Sequence, residues 1–144
     1  MSYSIDANLL IYASDTSSQE HRSACDFLTG RAADPDLMCL TWVTLMAYQR
    51  IATHPSIFST PLDPATAWKN IQSLLALPRT RIITEEAGFA DDYLAVTEAV
   101  ITRGNLVPDA HIATVLRQHG VRRIYTVDTD FRKFAFLEVV NPLR

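Results

Sequence analysis

At 144 residues, with 48 % apolar and 20 % charged side chains, the chain has the length and balance of one globular domain around a single core. No apolar run approaches bilayer-spanning length, and Asp6 interrupts the first apolar segment, so neither a membrane association nor a secretory leader is expected. A net charge of −3, from 13 basic and 16 acidic residues, argues against a coat protein with an overall basic field but not against an enzyme that touches a few phosphates. Eleven of the basic residues are arginine, clustered most tightly at Arg79/Arg81 and Arg122-Arg123, although most such residues are plain solvated surface. Cys25 and Cys39 fall outside any metal-finger or redox spacing and read as two reduced thiols of a cytoplasmic protein.

Taken in order, Tyr3 and Ile5 alternate with polar neighbours as in a short strand, and Leu9, Leu10, Tyr12 and Ala13 then recur at helical spacing. Ser18 reads as the cap of a helix over about 19–28, stopped by Gly30. A loop at 33–36 precedes an apolar strand at 37–40. Thr41 is expected to cap the next helix, which runs to about Thr53 and is ended by His54-Pro55. Residues 56–63 look irregular, and Asp63-Pro64 has the N-cap and N1 chemistry that opens a helix, here to about Leu77. A third strand is expected at 81–84 and a helix at 89–101, closed by Arg103-Gly104. Pro108 opens a further helix through Leu116 that ends at His119-Gly120. A fourth strand at 122–127, a short helix at 130–134 and an edge strand at Val139-Val140 complete the chain. Strands alternating with helices imply an α/β class domain over 1–144, with a mainly parallel sheet covered on both faces.

Such a sheet delivers residues at strand ends and helix starts to one rim, where open α/β folds bind ligands. Asp6 follows the first strand, Asp109 lies in the first turn of the helix opened by Pro108, and Asp128 and Asp130 follow the fourth strand. Each has a plain structural reading: Asp6, Asp128 or Asp130 as a helix cap, Asp109 as a complement to the helix dipole. What those readings do not explain is all of them reaching one rim. Carboxylates gathered there repel one another, and a hard divalent cation such as Mg²⁺ or Mn²⁺ is the usual remedy. No His/Cys spacing suggests zinc, and neither a hydrolase triad nor a phosphate-binding glycine loop is present. Asn8 and Thr126 are candidates to orient the carboxylates. His111 reads as half-buried and structural. Trp42 and Trp68 read as core or interface positions rather than base-stacking platforms.

Four segments in order carry a family resemblance. Ser4-Ile5-Asp6-Ala7-Asn8-Leu9-Leu10-Ile11-Tyr12 resembles the opening of PIN domains, in particular the VapC toxins of bacterial toxin–antitoxin pairs. Leu106-Val107-Pro108-Asp109-Ala110-His111-Ile112-Ala113 is similar to the PIN segment with a metal-binding Asp. Tyr125-Thr126-Val127-Asp128-Thr129-Asp130-Phe131 is similar to the final acidic motif, and Asn141-Pro142-Leu143 to a common VapC ending. The resemblance implies a three-layer α/β/α domain and a Mg²⁺-dependent endoribonuclease, a hydrolase with Asp6, Asp109 and Asp128 as catalytic and metal-binding residues and Asp130 as a further candidate. It also implies structured RNA such as tRNA or rRNA as substrate, a VapB-like antitoxin as partner, and a homodimer.

The chain departs from the pattern on the helix after the second strand. PIN nucleases usually carry a Glu there, and Ala47 stands in its place; Gln49 lies two residues on and points elsewhere. Glu85 and Glu86, after the third strand, are alternative sources of that carboxylate. A second reading follows, a PIN-fold RNA-binding or partner-sequestering module with weak or no cleavage. A third is a Mg²⁺-dependent phosphohydrolase of a small molecule, which needs a deep enclosed pocket.

Overall fold

In the computed structural model, which describes residues 1–144, β1 (Ser2–Ile5) is the central strand of a five-stranded sheet. β2 (Leu37–Leu40) and β3 (Thr80–Ile82) lie to one side of it, β4 (Arg123–Tyr125) and β5 (Glu138–Val140) to the other, and every pairing is parallel. The order β3-β2-β1-β4-β5 reverses direction at β1, so a crevice opens beyond the carboxyl ends of β1 and β4. The register Ser4↔Ile124 and Ile5↔Tyr125 brings Asp6 level with Thr126 across that crevice, where Asp6 N–H donates to the Tyr125 carbonyl at 2.9 Å.

Both faces of the sheet are covered, giving three layers. On one, α1 (Ala7–Ser14), α3 (Trp42–Ala52) and α4 (Pro64–Leu75) pack Leu9, Leu10, Leu45, Tyr48, Ala67 and Ile71 against Tyr3, Ile5, Met38 and Leu40. α2 (His21–Gly30) packs outside α1. On the other, α5 (Phe89–Thr97) and α6 (Leu106–Gln118) join Phe131, Phe134 and Leu137 over Cys39 and Ile124. α6 buries Leu106, Ala110, Ile112, Ala113, Thr114, Val115 and Leu116, which makes it the rigid beam from which Asp109 projects.

Two helix starts form as the capping chemistry predicts. Thr44 N–H donates to Thr41 Oγ1 at 3.3 Å, and Thr66 N–H donates to Asp63 Oδ1 at 2.8 Å with Pro64 in the first turn. α6 ends as a Schellman motif: Gly120 sits at φ +69°, its N–H donates to the Arg117 carbonyl, and the Val121 N–H donates to the Leu116 carbonyl.

Several boundaries differ from the sequence expectation. α2 starts at His21, because Ser18 spends its hydroxyl on Glu20 inside a turn. Gly30 does not stop it, being right-handed at φ −67°; a 3₁₀ turn, Arg31–Ala33, carries on until Asp34 is held extended ahead of Pro35. α5 stops at Thr97 although the apolar pattern runs on, and Ile101 is 81 % exposed. α6 starts two residues before Pro108, which an N-terminal turn tolerates because its first four N–H groups have no helical partner. β3 begins at Thr80 and ends at Ile82, and Glu138 extends β5. The last short helix is a 3₁₀ turn, Asp130–Lys133.

Candidate active site

The crevice between β1 and β4 is organised by one buried hydroxyl. Thr126, 1 % exposed, donates from Oγ1 to Asp6 Oδ2 at 2.7 Å and accepts from the Asp128 N–H at 3.0 Å. Asn8 Nδ2 donates to Thr126 Oγ1 at 3.0 Å and to Asp6 Oδ2 at 3.3 Å. The other Asp6 oxygen accepts from the Ala7 N–H at 2.7 Å, so Asp6 caps α1 and serves the rim at once. Asp128 Oδ1 accepts from the Asp130 N–H at 3.1 Å, and Asp130 faces Lys133 Nζ at 3.9 Å. Asp6, Asn8, Thr126, Asp128 and Asp130 therefore form one bonded chain from residues about 120 apart in sequence.

Asp109 completes the group from α6 without joining that chain. No hydrogen bond or ion pair steadies its half-buried carboxyl, whose pKa is pushed up to about 7. Burial is the largest cause, followed by the charges of Asp6, Asp128 and Asp130, with Lys133 partly opposing them. The Asp6 carboxyl is also raised, by burial first and by Asp128 and Asp130 last, against the hydrogen bonds from Thr126 and Ala7. Asp6 and Asp109 thus both sense the charges of Asp128 and Asp130, and the only cation among the groups acting on Asp109 is Lys133.

Such an unneutralised, all-oxygen donor set suits a hard divalent cation. The Asn8 Oδ1 atom, buried and without a partner, is a further uncommitted oxygen in the same network. No three of the carboxylates close tightly enough to enclose an ion alone. The fit is to an ion held by one or two carboxylates with water completing its shell, the habit of Mg²⁺.

The family model for the PIN domain matches residues 3–137. Ribonuclease VapC48 of Mycobacterium tuberculosis is 37 % identical over 142 residues, covering 99 % of this chain and 98 % of the relative. The chain belongs to the PIN-domain VapC ribonucleases. Ribonuclease VapC37 of the same species is 33 % identical over 90 % of each chain. Among solved structures, VapBC2 of Rickettsia felis bound to a promoter DNA fragment superimposes with a TM-score of 0.67 at 17 % identity, covering 98 % of both chains. Mycobacterium tuberculosis VapC20, described as a sarcin–ricin-loop-cleaving toxin, gives 0.65 at 19 % identity, covering 95 % of this chain and 98 % of that one. At these identities the structural likeness concerns the fold.

Against the VapC pattern, Ala47 on α3 brings no carboxylate, and its neighbours do not replace one. Gln49 turns toward α4, its Nε2 donating to the Pro64 carbonyl at 3.1 Å. Glu85 is bonded to His111 Nε2 at 2.6 Å, and two residues along α6 from Asp109 is nearly the opposite side of that helix. Glu86 is held at the far end of α6: its N–H donates to Gln118 Oε1 at 2.9 Å and its carboxylate lies 3.4 Å from His119. Trp42 and Trp68 are not in the core; they lie 41 % and 39 % exposed. Sequence reasoning missed two participants, the Lys133 ammonium and the pairing of Glu85 with His111. The only available signal for Lys133 was its i+3 spacing from Asp130.

Proposed function

We propose that this chain is the toxin of a toxin–antitoxin pair, an endoribonuclease that hydrolyses RNA phosphodiester bonds with Mg²⁺, or Mn²⁺, at the rim formed by Asp6, Asp109 and Asp128. The observation that carries the reading is Asp109, an unpartnered, half-buried carboxyl surrounded by acids in a VapC-type PIN domain. When bound, the cation supplies positive charge to the phosphodiester and to the attacking water. The chain supplies the frame. Thr126 and the Ala7 N–H hold Asp6 in one rotamer, the Asp130 N–H holds Asp128, and α6 presents Asp109 from a packed core. Lys133, 55 % exposed, is available to a substrate phosphate. By analogy with its relatives, the substrate is a structured RNA loop of tRNA or rRNA, and a VapB-like antitoxin and a second copy are the protein partners, in the cytoplasm.

Two cavities in the fold lie apart from Asp6, Asp109, Asp128 and Asp130. One, of about 360 Å³, lies between α1, α2, α3 and α4 and includes Leu10, Tyr48, Ile71 and Leu74 in its lining. An acid rim on an open edge suits a polymer better than a small phosphate ester. Titrating Mg²⁺ and Mn²⁺ into the purified chain while following total cellular RNA tests the reading. Discrete fragments that vanish with EDTA are expected; binding of RNA without cleavage at any metal concentration would overturn it in favour of a binding module.

That second reading has its own support in Ala47 and in the engagement of Glu85 and Glu86 on α6. Ala47→Glu separates the two. The position is part-exposed on α3, so the larger side chain has room to fold outward. A several-fold drop in the Mg²⁺ concentration for half-maximal cleavage is expected, since a further carboxylate strengthens binding of a hard cation. An unchanged metal dependence would place α3 outside the site.

A further inference from the structure

The two indoles of this protein are its only tryptophans, and they lie together on the surface. Trp42 opens α3 and Trp68 lies on α4; their rings are nearly parallel, at 10°, with centroids 6.4 Å apart. Each is about two-fifths exposed, and Met46, one turn along α3 from Trp42, is 42 % exposed beside them. Stacked side chains of this size usually close over a core. Here they leave flat aromatic surface in water.

Their place in the fold links them to the acids. Continuing the β1–β2 register, Ser2↔Leu37 and Tyr3↔Met38, sets Thr41 level with Asp6, each one residue past the end of its strand and about 5 Å apart at strand spacing. Trp42 is the next residue, on the same carboxyl rim. Trp42 also lines a small cavity with Ile83, Thr84 and Glu85, beyond the carboxyl ends of β2 and β3.

We infer that Trp42 and Trp68 form a stacking platform for an unpaired nucleobase next to the scissile phosphate, and so are specificity-determining residues. The inference rests on the ribonuclease reading. A paired base hides its faces in the helix stack, whereas an unpaired one can extend a stack of parallel indoles whatever its identity, because every base has a π-face. The platform therefore selects strandedness and sets where along a loop the acids engage, and it tolerates sequence. The acids repel phosphate until a cation is present, so aromatic stacking and the Lys133 ammonium are the attractions the free protein offers on this rim.

Because both tryptophans are in the platform, emission from the full chain reports on it alone. The probe is a single-stranded oligoribonucleotide titrated into the Asp109→Asn protein, which lacks one of the repelling carboxylates, with a blunt duplex of the same sequence as control. Quenching by the single strand and none by the duplex is expected. Trp42→Ala and Trp68→Ala should each weaken single-strand affinity by about one to two orders of magnitude, and Trp42→Phe should restore most of it. In the protein that keeps Asp109, the same alanine variants should raise KM for loop RNA while kcat moves little. Cleavage with unchanged KM in both alanine variants would overturn the platform and leave the nuclease standing. Absence of RNA binding and cleavage in every form would remove both readings. Loss of affinity accompanied by a change of mass in light scattering would overturn the platform by making the tryptophans a contact between copies.

Discussion

Asp109→Asn is expected to lower metal-dependent RNA cleavage by roughly two to three orders of magnitude while making the metal-free protein more stable at neutral and alkaline pH. The activity loss follows from removing the one acid with no other duty. Asp6 also caps α1 and Asp128 takes part in a turn, but nothing in the fold binds the Asp109 carboxyl. Forfeiting a ligand to a catalytic cation costs several kcal/mol of transition-state stabilisation, and each 1.4 kcal/mol is tenfold in rate. The stability gain has the opposite origin. The folded pKa of about 7 lies above the ordinary Asp value of 3.8, so between those values the native state holds a proton that the unfolded chain has released. This group's contribution is therefore fully present below about pH 4 and is lost as the pH rises through 7. Asparagine removes that slope. Thermal unfolding in EDTA should show wild type and variant alike near pH 4 and the variant ahead at pH 8, by about 1–2 kcal/mol once solvent screening of a half-exposed group is allowed for. Added Mg²⁺ should reverse the order by stabilising only the wild type. A variant that is less stable at pH 8 would mean that the Asp109 charge is already compensated within the protein.

The same acid shows what a sequence can disclose. Asp109 was legible because it sits beside Pro108 at a helix start, and the alternation of strands and helices sends such starts to one rim. Asp6 was legible from the change of period between Ile5 and Leu9. Local chemistry also placed the Thr41 and Asp63 caps and the end of α6, where the conformation is decided by neighbours within a few residues. Failures arose where a competing neighbour or a distant group decides. Ser18 is a good cap by type but is claimed by Glu20; Gly30 is a good stop by type but is followed by residues able to extend the turn. The apolar repeat through Val100 and Ile101 imitates a longer α5, yet no layer exists there to bury Ile101. The bond between Glu85 and His111 joins residues 26 apart on different elements, so no spacing announces it. Trp42 and Trp68 have helical spacing suited to a core face, and only the placement of α3 against α4 leaves them outside.

Three features of the rim constrain one another. A reversal of strand order opens the crevice, a hydroxyl on one lip of it fixes the Asp6 carboxylate and the Asp128 backbone, and a buried helix brings the Asp109 carboxylate from the opposite layer. The arrangement concentrates negative charge where a phosphodiester must approach. The charge clustering that weakens the free protein is what would make binding of a cation favourable.

Thr126→Val tests how much of this depends on the hydroxyl alone. Valine keeps the shape and burial of threonine, so the packing around a side chain 1 % exposed is preserved. Three hydrogen bonds are lost: to Asp6, from the Asp128 N–H and from Asn8. The Asp128 N–H is left without an acceptor and Asn8 keeps only its longer bond to Asp6, at a cost of about 1–3 kcal/mol in stability. Asp6 loses the hydrogen bond that most strongly opposes its raised pKa, so its carboxyl binds a proton at still higher pH and competes less well for a cation. Cleavage should fall by about 10- to 100-fold, the usual loss when an outer group that orients a ligand is removed. The Mg²⁺ requirement should rise and the pH for half-maximal activity should move upward. Thr126→Ser, which keeps the hydroxyl and loses a methyl, should recover most of the activity with a smaller stability deficit. If Val and Ser variants cleave equally, the hydroxyl is a packing group, and Asp6 and Asp128 hold their positions without it.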